Sequence, residues 1–237
     1  HSGHPEQISN AIRNHYAPLG TADACPTEPL TILMALTDKL DTLVGFFSIN
    51  QVPTSSKDPY GLRRTALGII RLMNDYAIPT PLTTFVEHAI QTYGITDLHE
   101  KELLLEKVMT FIKERFKFYM KNDFAASHIQ AVLKEGEGSS WNGHIWNSTH
   151  LLGVLKTTME TDDGRALIEL YKRVDNILKD TDASSAALDP SMLTPVEQHL
   201  FTTLTTAETQ VASLLSHVLI SYLHVFRELL TLRDPLT

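Results

Sequence analysis

Three groups of residues have types and spacings that suit chemistry. The first is Thr54-Ser55-Ser56-Lys57-Asp58-Pro59-Tyr60-Gly61-Leu62-Arg63-Arg64, a hydroxyl-rich loop running into Asp-Pro. That pairing supplies a helix N-cap followed by proline at the first helical position. A helix start exposes unpaired N–H groups, so with Lys57, Arg63 and Arg64 beside it the segment suits an anion. Arg64 and Arg71 share a helix face, with Arg63 turned away from it. The competing reading is an ordinary capped helix whose arginines pair with neighbouring carboxylates.

The second group is Asp38 and Asp41, three apart and on one side of a helix. Such a pair suits a metal or a general base, with His15 as a partner brought in by the fold. Without a His or Asp partner close in sequence, a solvated helix face with Lys39 nearby is the better reading. The third group is basic. Lys113, Arg115, Lys117 and Lys121 stand against one acidic residue, Glu114, and Arg165, Lys172 and Lys179 recur by sevens with Tyr171 and Arg173 beside them. Each ridge suits phosphate, and each also reads as the wet face of an amphipathic helix. No phosphate-binding glycine loop, nucleophile elbow or zinc-binding His-Glu-x-x-His helix occurs. His88, His99, His128, His144, His150, His199, His217 and His224 are scattered, and packing is the better reading for the last two on an apolar helix.

These groups must be positioned by helices, because apolar residues recur at three- and four-residue steps and no alternating strand with hairpin turns stands out. The fold class expected is all-α. Helices are expected over Ile8–Tyr16, Leu30–Ile49, from Pro59 to about Asp75, and over Leu82–Tyr93, Leu98–Lys121 and Phe124–Lys134. After a Gly/Ser/Asn-rich loop from Glu135 to Ser148 they resume at Thr149–Glu160 and Gly164–Asp180, parted by an Asp162-Asp163 turn. A second loop, Thr181 to Leu193, leads to a capping box at Thr194-Pro195-Val196-Glu197 and a final helix pair ending near Leu230. The expected apolar stripes are Leu33, Leu36, Leu40, Leu43, Val44 and Phe47; Leu62, Ala66, Ile69, Ile70 and Met73; and Leu104, Val108, Phe111, Ile112, Phe118 and Tyr119. Pro79 and Pro81 mark the expected domain boundary, giving residues 1–80 and 81–237.

Composition narrows the classes. The chain has 237 residues, 43% of them hydrophobic, enough for one sizeable core or two modest ones. A net charge of −8 means that any nucleic-acid contact must come from a local concentration of Lys and Arg. The single Cys25 cannot form an internal disulfide, no Cys/His cluster has zinc spacing, and no apolar run spans a bilayer. A soluble, cytoplasmic protein without membrane contact is expected. His1-Ser2-Gly3-His4 lacks an initiating Met and the end at Thr237 is abrupt, so a piece of something larger is expected.

Two segments also carry a family resemblance. Ala35-Leu36-Thr37-Asp38-Lys39-Leu40-Asp41-Thr42-Leu43-Val44-Gly45 is similar to the Ala-Asp-Lys-Leu-Asp-Thr-Leu-Val-Gly stretch of the β subunit of bacterial-type heterotetrameric glycyl-tRNA synthetases, with Thr37 where Ala is usual. Pro53-Thr54-Ser55-Ser56-Lys57-Asp58-Pro59-Tyr60 followed by Leu62-Arg63-Arg64 resembles the Pro-Thr-Gly-Ser-Lys-Asp-Pro-Phe/Tyr-x-Leu-Arg-Arg signature of the same family, with Ser55 where Gly is usual. Ala11-Ile12 and His15-Tyr16, Pro26-Thr27 and Pro29, and Tyr171-Lys172-Arg173-Val174 fall in the same order.

The resemblance implies a degenerate HD-type helical region followed by a helical anticodon-binding bundle truncated at its C-terminus. His15 and Asp38 would be remnants of HD positions, with no metal and no catalytic residue in this chain. The ATP- and Mg-dependent joining of glycine to tRNA-Gly would belong to an α2β2 holoenzyme, with activation in the α subunit. This piece would bind tRNA through Lys113, Arg115, Lys117, Lys121, Lys172 and Arg173. An HD-type metal phosphohydrolase and a structural module contacting the α subunit are the alternatives.

Overall fold

The computed structural model describes residues 3, 5–133, 141, 143–179, 192–217 and 221–233. The described residues form ten helices and no strand: α1 (Glu6–Asn14), α2 (Pro29–Ser48), α3 (Leu62–Asp75), α4 (Leu82–Thr92), α5 (Leu98–Met120), α6 (Ala126–Leu133), α7 (Ile145–Met159), α8 (Asp162–Lys179), α9 (Pro195–Leu215) and α10 (Tyr222–Leu230). The all-α class read from the periodicity is the observed one. The compact units are His1–Thr149 and His150–Thr237. Pro79–Pro81 is therefore not where they divide. There the chain only turns from α3 into α4, and the helices on both sides of the turn pack together: α4 on α2 and α5, and α5 on α2 and α3.

The first unit is organised around α2, which touches α1, α3, α4 and α5. Proline at its first position starts it, and a continuous buried face follows: Ala35, Leu36, Leu40, Leu43, Val44 and Phe47. Leu33, expected in that stripe, is 59% exposed, since the face turned to α1 and α3 runs through Thr31 and Ala35 instead. Leu62, Ala66, Ile69, Ile70 and Met73 of α3 are all fully buried, as their spacing requires. On α5 the buried line runs Leu104, Val108, Ile112, Phe116 and Met120 in four-residue steps. Phe118, expected in the core, lies two residues off that line and is 67% exposed.

The least expected member of this core is a charge. Lys39, on the buried side of α2, is 5% exposed, and its Nζ donates to the backbone carbonyls of Tyr16 (2.9 Å) and His15 (3.3 Å) just past α1. Those carbonyls are left without helical partners where α1 ends, and a cation at a helix C-terminus is favoured by both hydrogen bonding and the helix dipole. Burial pulls the Lys39 pKa below the ordinary lysine value, and the Asp38 carboxylate partly opposes that pull. Gly68 of α3 makes room for the side chain: a Cβ there would lie 2.6 Å from Lys39 Cε, 2.9 Å from Cδ and 3.2 Å from the Pro18 carbonyl oxygen. One lysine thus joins α1, α2 and α3.

The start of α3 differs from expectation in an informative way. The helix begins at Leu62, with Gly61 in the left-handed region at φ 68° as its N-cap, so Pro59 lies outside it. Asp58 still caps, but from further back. Its carboxylate accepts from the N–H groups of Leu62 (2.8 Å) and Arg63 (3.0 Å).

The expected loop at 135–148 falls partly outside the described residues, and its last part is helical because α7 begins at Ile145. Trp141 tacks this region down by stacking on Phe116 (5.6 Å between rings) and donating to Ser148 Oγ (3.2 Å). The expected helix ends at Lys134 and Asp180, most of the loop at 181–193, the last residues 234–237 and three members of the first segment, His1, Ser2 and His4, also lie outside the described residues.

In the second unit α10 packs on α8 and α9. The capping box at Thr194 and Glu197 forms as expected. Asp162 and Asp163 are not a turn. They occupy the first turn of α8, where carboxylates are favoured by the helix dipole. His217 lies beyond the end of α9, whereas His224 sits on α10 with Nδ1 2.9 Å from Ser221 Oγ. The two are therefore not on one apolar helix.

Substituting Gly68→Ala should destabilise the first unit by roughly 1–3 kcal/mol, because the tethered lysine stem cannot withdraw without losing its carbonyl bonds. In a Lys39→Ala background the same substitution should cost much less. Urea denaturation of the four proteins in that cycle measures the coupling, and strictly additive effects would remove Lys39 from this role.

Candidate functional site

The Lys39 junction shapes a cleft of about 300 Å³, lined by Tyr16, Pro18, Leu19, Asp38, Lys39, Thr42, Tyr60, Gly61, Arg64 and Thr65. Residues from both sequence motifs, far apart along the chain, face one hollow. α2 supplies Asp38 and Thr42, the segment after α1 supplies Tyr16 to Leu19, and the entry to α3 supplies Tyr60 and Arg64. Tyr60 is stacked on Phe46 (4.2 Å between rings, 25° between planes), which fixes one face of its ring.

The expected anion site at the start of α3 is differently arranged. The N–H groups of Leu62 and Arg63 point at the protein's own Asp58 carboxylate, so the helix start is already capped from within. Arg63 donates to the Thr54 carbonyl and lies 4.0 Å from Asp58. Arg71 does not join Arg64: its Nη1 donates to the Gly20 carbonyl at 2.5 Å, holding the segment between α1 and α2 against α3. Tyr76 does the same through the Pro26 carbonyl. Lys57 is exposed, and its backbone carbonyl accepts from Thr54 N (3.0 Å). Of the three cations expected together, the structure brings only Arg64 into the cleft.

Asp38 and Asp41 also part company. Asp38 lines the cleft, while Asp41 receives Tyr93 from the end of α4, whose hydroxyl lies 2.8 Å from both Asp41 Oδ1 and the Asp41 carbonyl oxygen. Burial first, and then this carboxylate, push the Tyr93 hydroxyl up to about 12. Asp41 is thus a pin between α2 and α4. His15 places its Nδ1 2.8 Å from the Ile12 carbonyl, one turn back in its own helix, and among the described residues no three His, Cys, Asp or Glu side chains gather as a metal would need. Among the described residues, the donors around His15 and Asp38 do not make up the ligand set of a metal centre. Cys25 is half-buried, and burial followed by Asp75 pushes its thiol up to about 11, so it is held as the unreactive thiol.

The α5 ridge divides. Lys113, Lys117 and Lys121, four apart, share one face. Lys113 is half-buried, and burial together with the neighbouring Lys117 pulls its pKa down. Lys117 pairs with Glu114 at 2.8 Å, and Lys121 is exposed at the helix end. Arg115 points elsewhere. Its guanidinium sits over the rings of Phe111 (5.9 Å) and Phe118 (5.8 Å), which accounts for the exposed Phe118. In the second unit, Arg165 pairs with Asp162 and Lys179 with Asp175 at 2.7 Å. Lys172 and Arg173 stay exposed, and so does Tyr171 at 70%. Lys172 also borders an apolar groove between α8 and α10 that Leu167, Ile168, Leu170 and Leu229 line.

Comparison with known proteins decides the family. A family model described as glycyl-tRNA synthetase beta subunit matches residues 1–134, more than half of the chain. The chain belongs to the glycyl-tRNA synthetase beta subunit family. It is 33% identical to the glycine–tRNA ligase beta subunit of Rickettsia typhi, over 100% of this chain and 33% of that protein. It is likewise 33% identical to that of Dinoroseobacter shibae, over 87% of this chain and 33% of the relative, and 36% identical to that of Rickettsia bellii, over 85% and 28%. The chain therefore spans about a third of the length of the beta subunits it matches. The family match takes in the whole cleft and the α5 ridge and stops before Lys172 and Arg173. Lys39, which in the sequence is only a neighbour of the two aspartates, is the residue on which the first family motif is anchored. Its signal was a lysine in step with Leu36, Leu40 and Leu43 on an apolar face.

Tyr93 gives a test of the α2–α4 pin. Its folded-state value lies above the ordinary tyrosine value, so its contribution to stability is fully present below pH about 10 and is lost as pH rises through about 12. Between those limits the wild-type urea midpoint should fall more steeply than that of Tyr93→Phe. Parallel slopes would show that the hydroxyl does not hold the helices together.

Proposed function

We propose that this chain is a tRNA-gripping part of a glycyl-tRNA synthetase beta subunit, serving the ATP-dependent joining of glycine to tRNA-Gly in the cytoplasm. Membership of the family is the observation that carries the reading. ATP, Mg and glycine would be handled by the partner alpha subunit, and this chain would contribute no catalytic group. The division of labour follows from RNA chemistry: basic side chains grip phosphates and fix orientation, while fewer polar and aromatic groups read bases.

On a protein of net charge −8, the Lys113, Lys117 and Lys121 face is the surface of the first unit best suited to the anticodon-arm backbone. Lys172 and Arg173 offer a second such contact from α8, and Arg115, backed by two phenylalanine rings, suits stacking rather than phosphate. The metal phosphohydrolase reading is disfavoured because, among the described residues, no third His, Cys, Asp or Glu gathers with His15 and Asp38.

Charge reversal of Lys121 in the complete beta subunit assembled with its alpha partner should weaken tRNA-Gly binding several-fold and lower the slope of log affinity against log salt by roughly one. Filter binding at several salt concentrations checks this, with a tRNA-Gly of altered anticodon in parallel. Unchanged affinity and slope would remove the α5 face. Binding indifferent to the anticodon would remove the anticodon-arm assignment.

A further inference from the structure

The cleft beside the Lys39 junction holds groups that the fold leaves unused. The side chains of Arg63 and Arg71 are tied to carbonyls of the chain, but the Arg64 guanidinium makes no hydrogen bond or ion pair. Its guanidinium is nonetheless placed, because it packs over Gly61, where a Cβ would lie 2.9 Å from Nη2. The Asp38 carboxylate is half-buried and accepts no hydrogen bond from the protein. Tyr60 has one ring face against Phe46 and is still 49% exposed, and Tyr16, across the cleft, is 60% exposed against His15. A free guanidinium, a free carboxylate and two braced aromatic rings around about 300 Å³ match the chemistry of one nucleotide.

We propose that this cleft takes a single unstacked nucleotide of the bound RNA, its base against Tyr60 or Tyr16, its amino edge on Asp38 and its phosphate on Arg64. The inference rests on the tRNA-binding reading above and names a contact distinct from the α5 face. Each group has one fitting partner. An aromatic ring stacks any base. A guanidinium meets phosphate oxygens in a fork. A carboxylate accepts from base N–H groups and carries no donor, so it favours guanine, with two adjacent donors, and disfavours uracil, whose single N–H lies between two carbonyl oxygens. Lys39 takes no direct part. By holding the carbonyls of His15 and Tyr16 it sets the cleft wall that carries the Tyr16 ring.

The test uses the complete alpha–beta enzyme, with GMP and UMP as probes in saturation-transfer NMR and tRNA-Gly in filter binding. GMP should bind at least about fivefold more tightly than UMP, and Arg64→Ala should abolish both signals. Asp38→Ala should erase the GMP preference. Tyr60→Ala should weaken tRNA-Gly binding roughly tenfold while Tyr60→Phe, which keeps the ring, leaves it near wild type. If GMP binds but tRNA affinity is indifferent to Tyr60→Ala and Asp38→Ala, the cleft serves a free nucleotide and the RNA assignment is overturned. If neither nucleotide binds and tRNA affinity is unmoved, the cleft site itself is overturned while tRNA binding stands. Wild-type enzyme that binds no tRNA would instead overturn the tRNA-gripping reading.

Discussion

The buried ammonium of Lys39 is the constraint from which the first unit follows. An isolated charge in an apolar interior is costly unless its donors find partners, and the partners here are the carbonyls that α1 leaves unpaired where it ends. Each side of the contact answers a deficit in the other. The pairing also fixes distance: the stem of Lys39 passes so close to α3 that position 68 has no room for a side chain beyond glycine. Three helices are thereby set relative to one another by one lysine, and the segment after α1 is held from its far side by Arg71 and Tyr76.

That geometry explains why two motifs separated along the chain share a cleft. Asp38 and Lys39 are adjacent in sequence but face opposite problems, one lining a polar hollow and the other closing a buried helix end. The Asp-Pro motif contributes through an indirect route. Asp58 caps α3 over the left-handed Gly61, which turns Arg63 back onto its own loop and leaves Arg64 at the mouth of the cleft. An acidic protein can still hold RNA where its cations are concentrated locally, as Lys113, Lys117 and Lys121 are on one face of α5.

The helices were legible because their determinants are local. The stripes on α2 and α3, the Pro-started α2 and the Thr194 capping box each declare themselves within a few turns. What was not legible depends on contacts between distant segments. Nothing near Lys39 in sequence says that its partners are His15 and Tyr16, and nothing near Asp41 points to Tyr93. The basic ridge on α5 was visible as composition, but only the helical register, with Phe116 buried and Phe118 exposed, separates Arg115 from the three lysines. Pro79–Pro81 reads as a boundary because proline ends helices. Whether helices on either side pack together is decided by their apolar faces, and here they do.

We propose that one face of α5 and the Lys39-braced cleft meet tRNA, with no catalytic group supplied by this chain. Hydrogen exchange of the alpha–beta enzyme with and without tRNA-Gly tests it most directly. Exchange should slow on tRNA binding at residues 15–19 and 60–65 and around Lys113–Lys121, with α9 unchanged. Full occupancy by tRNA with unchanged exchange in all of those segments would contradict it.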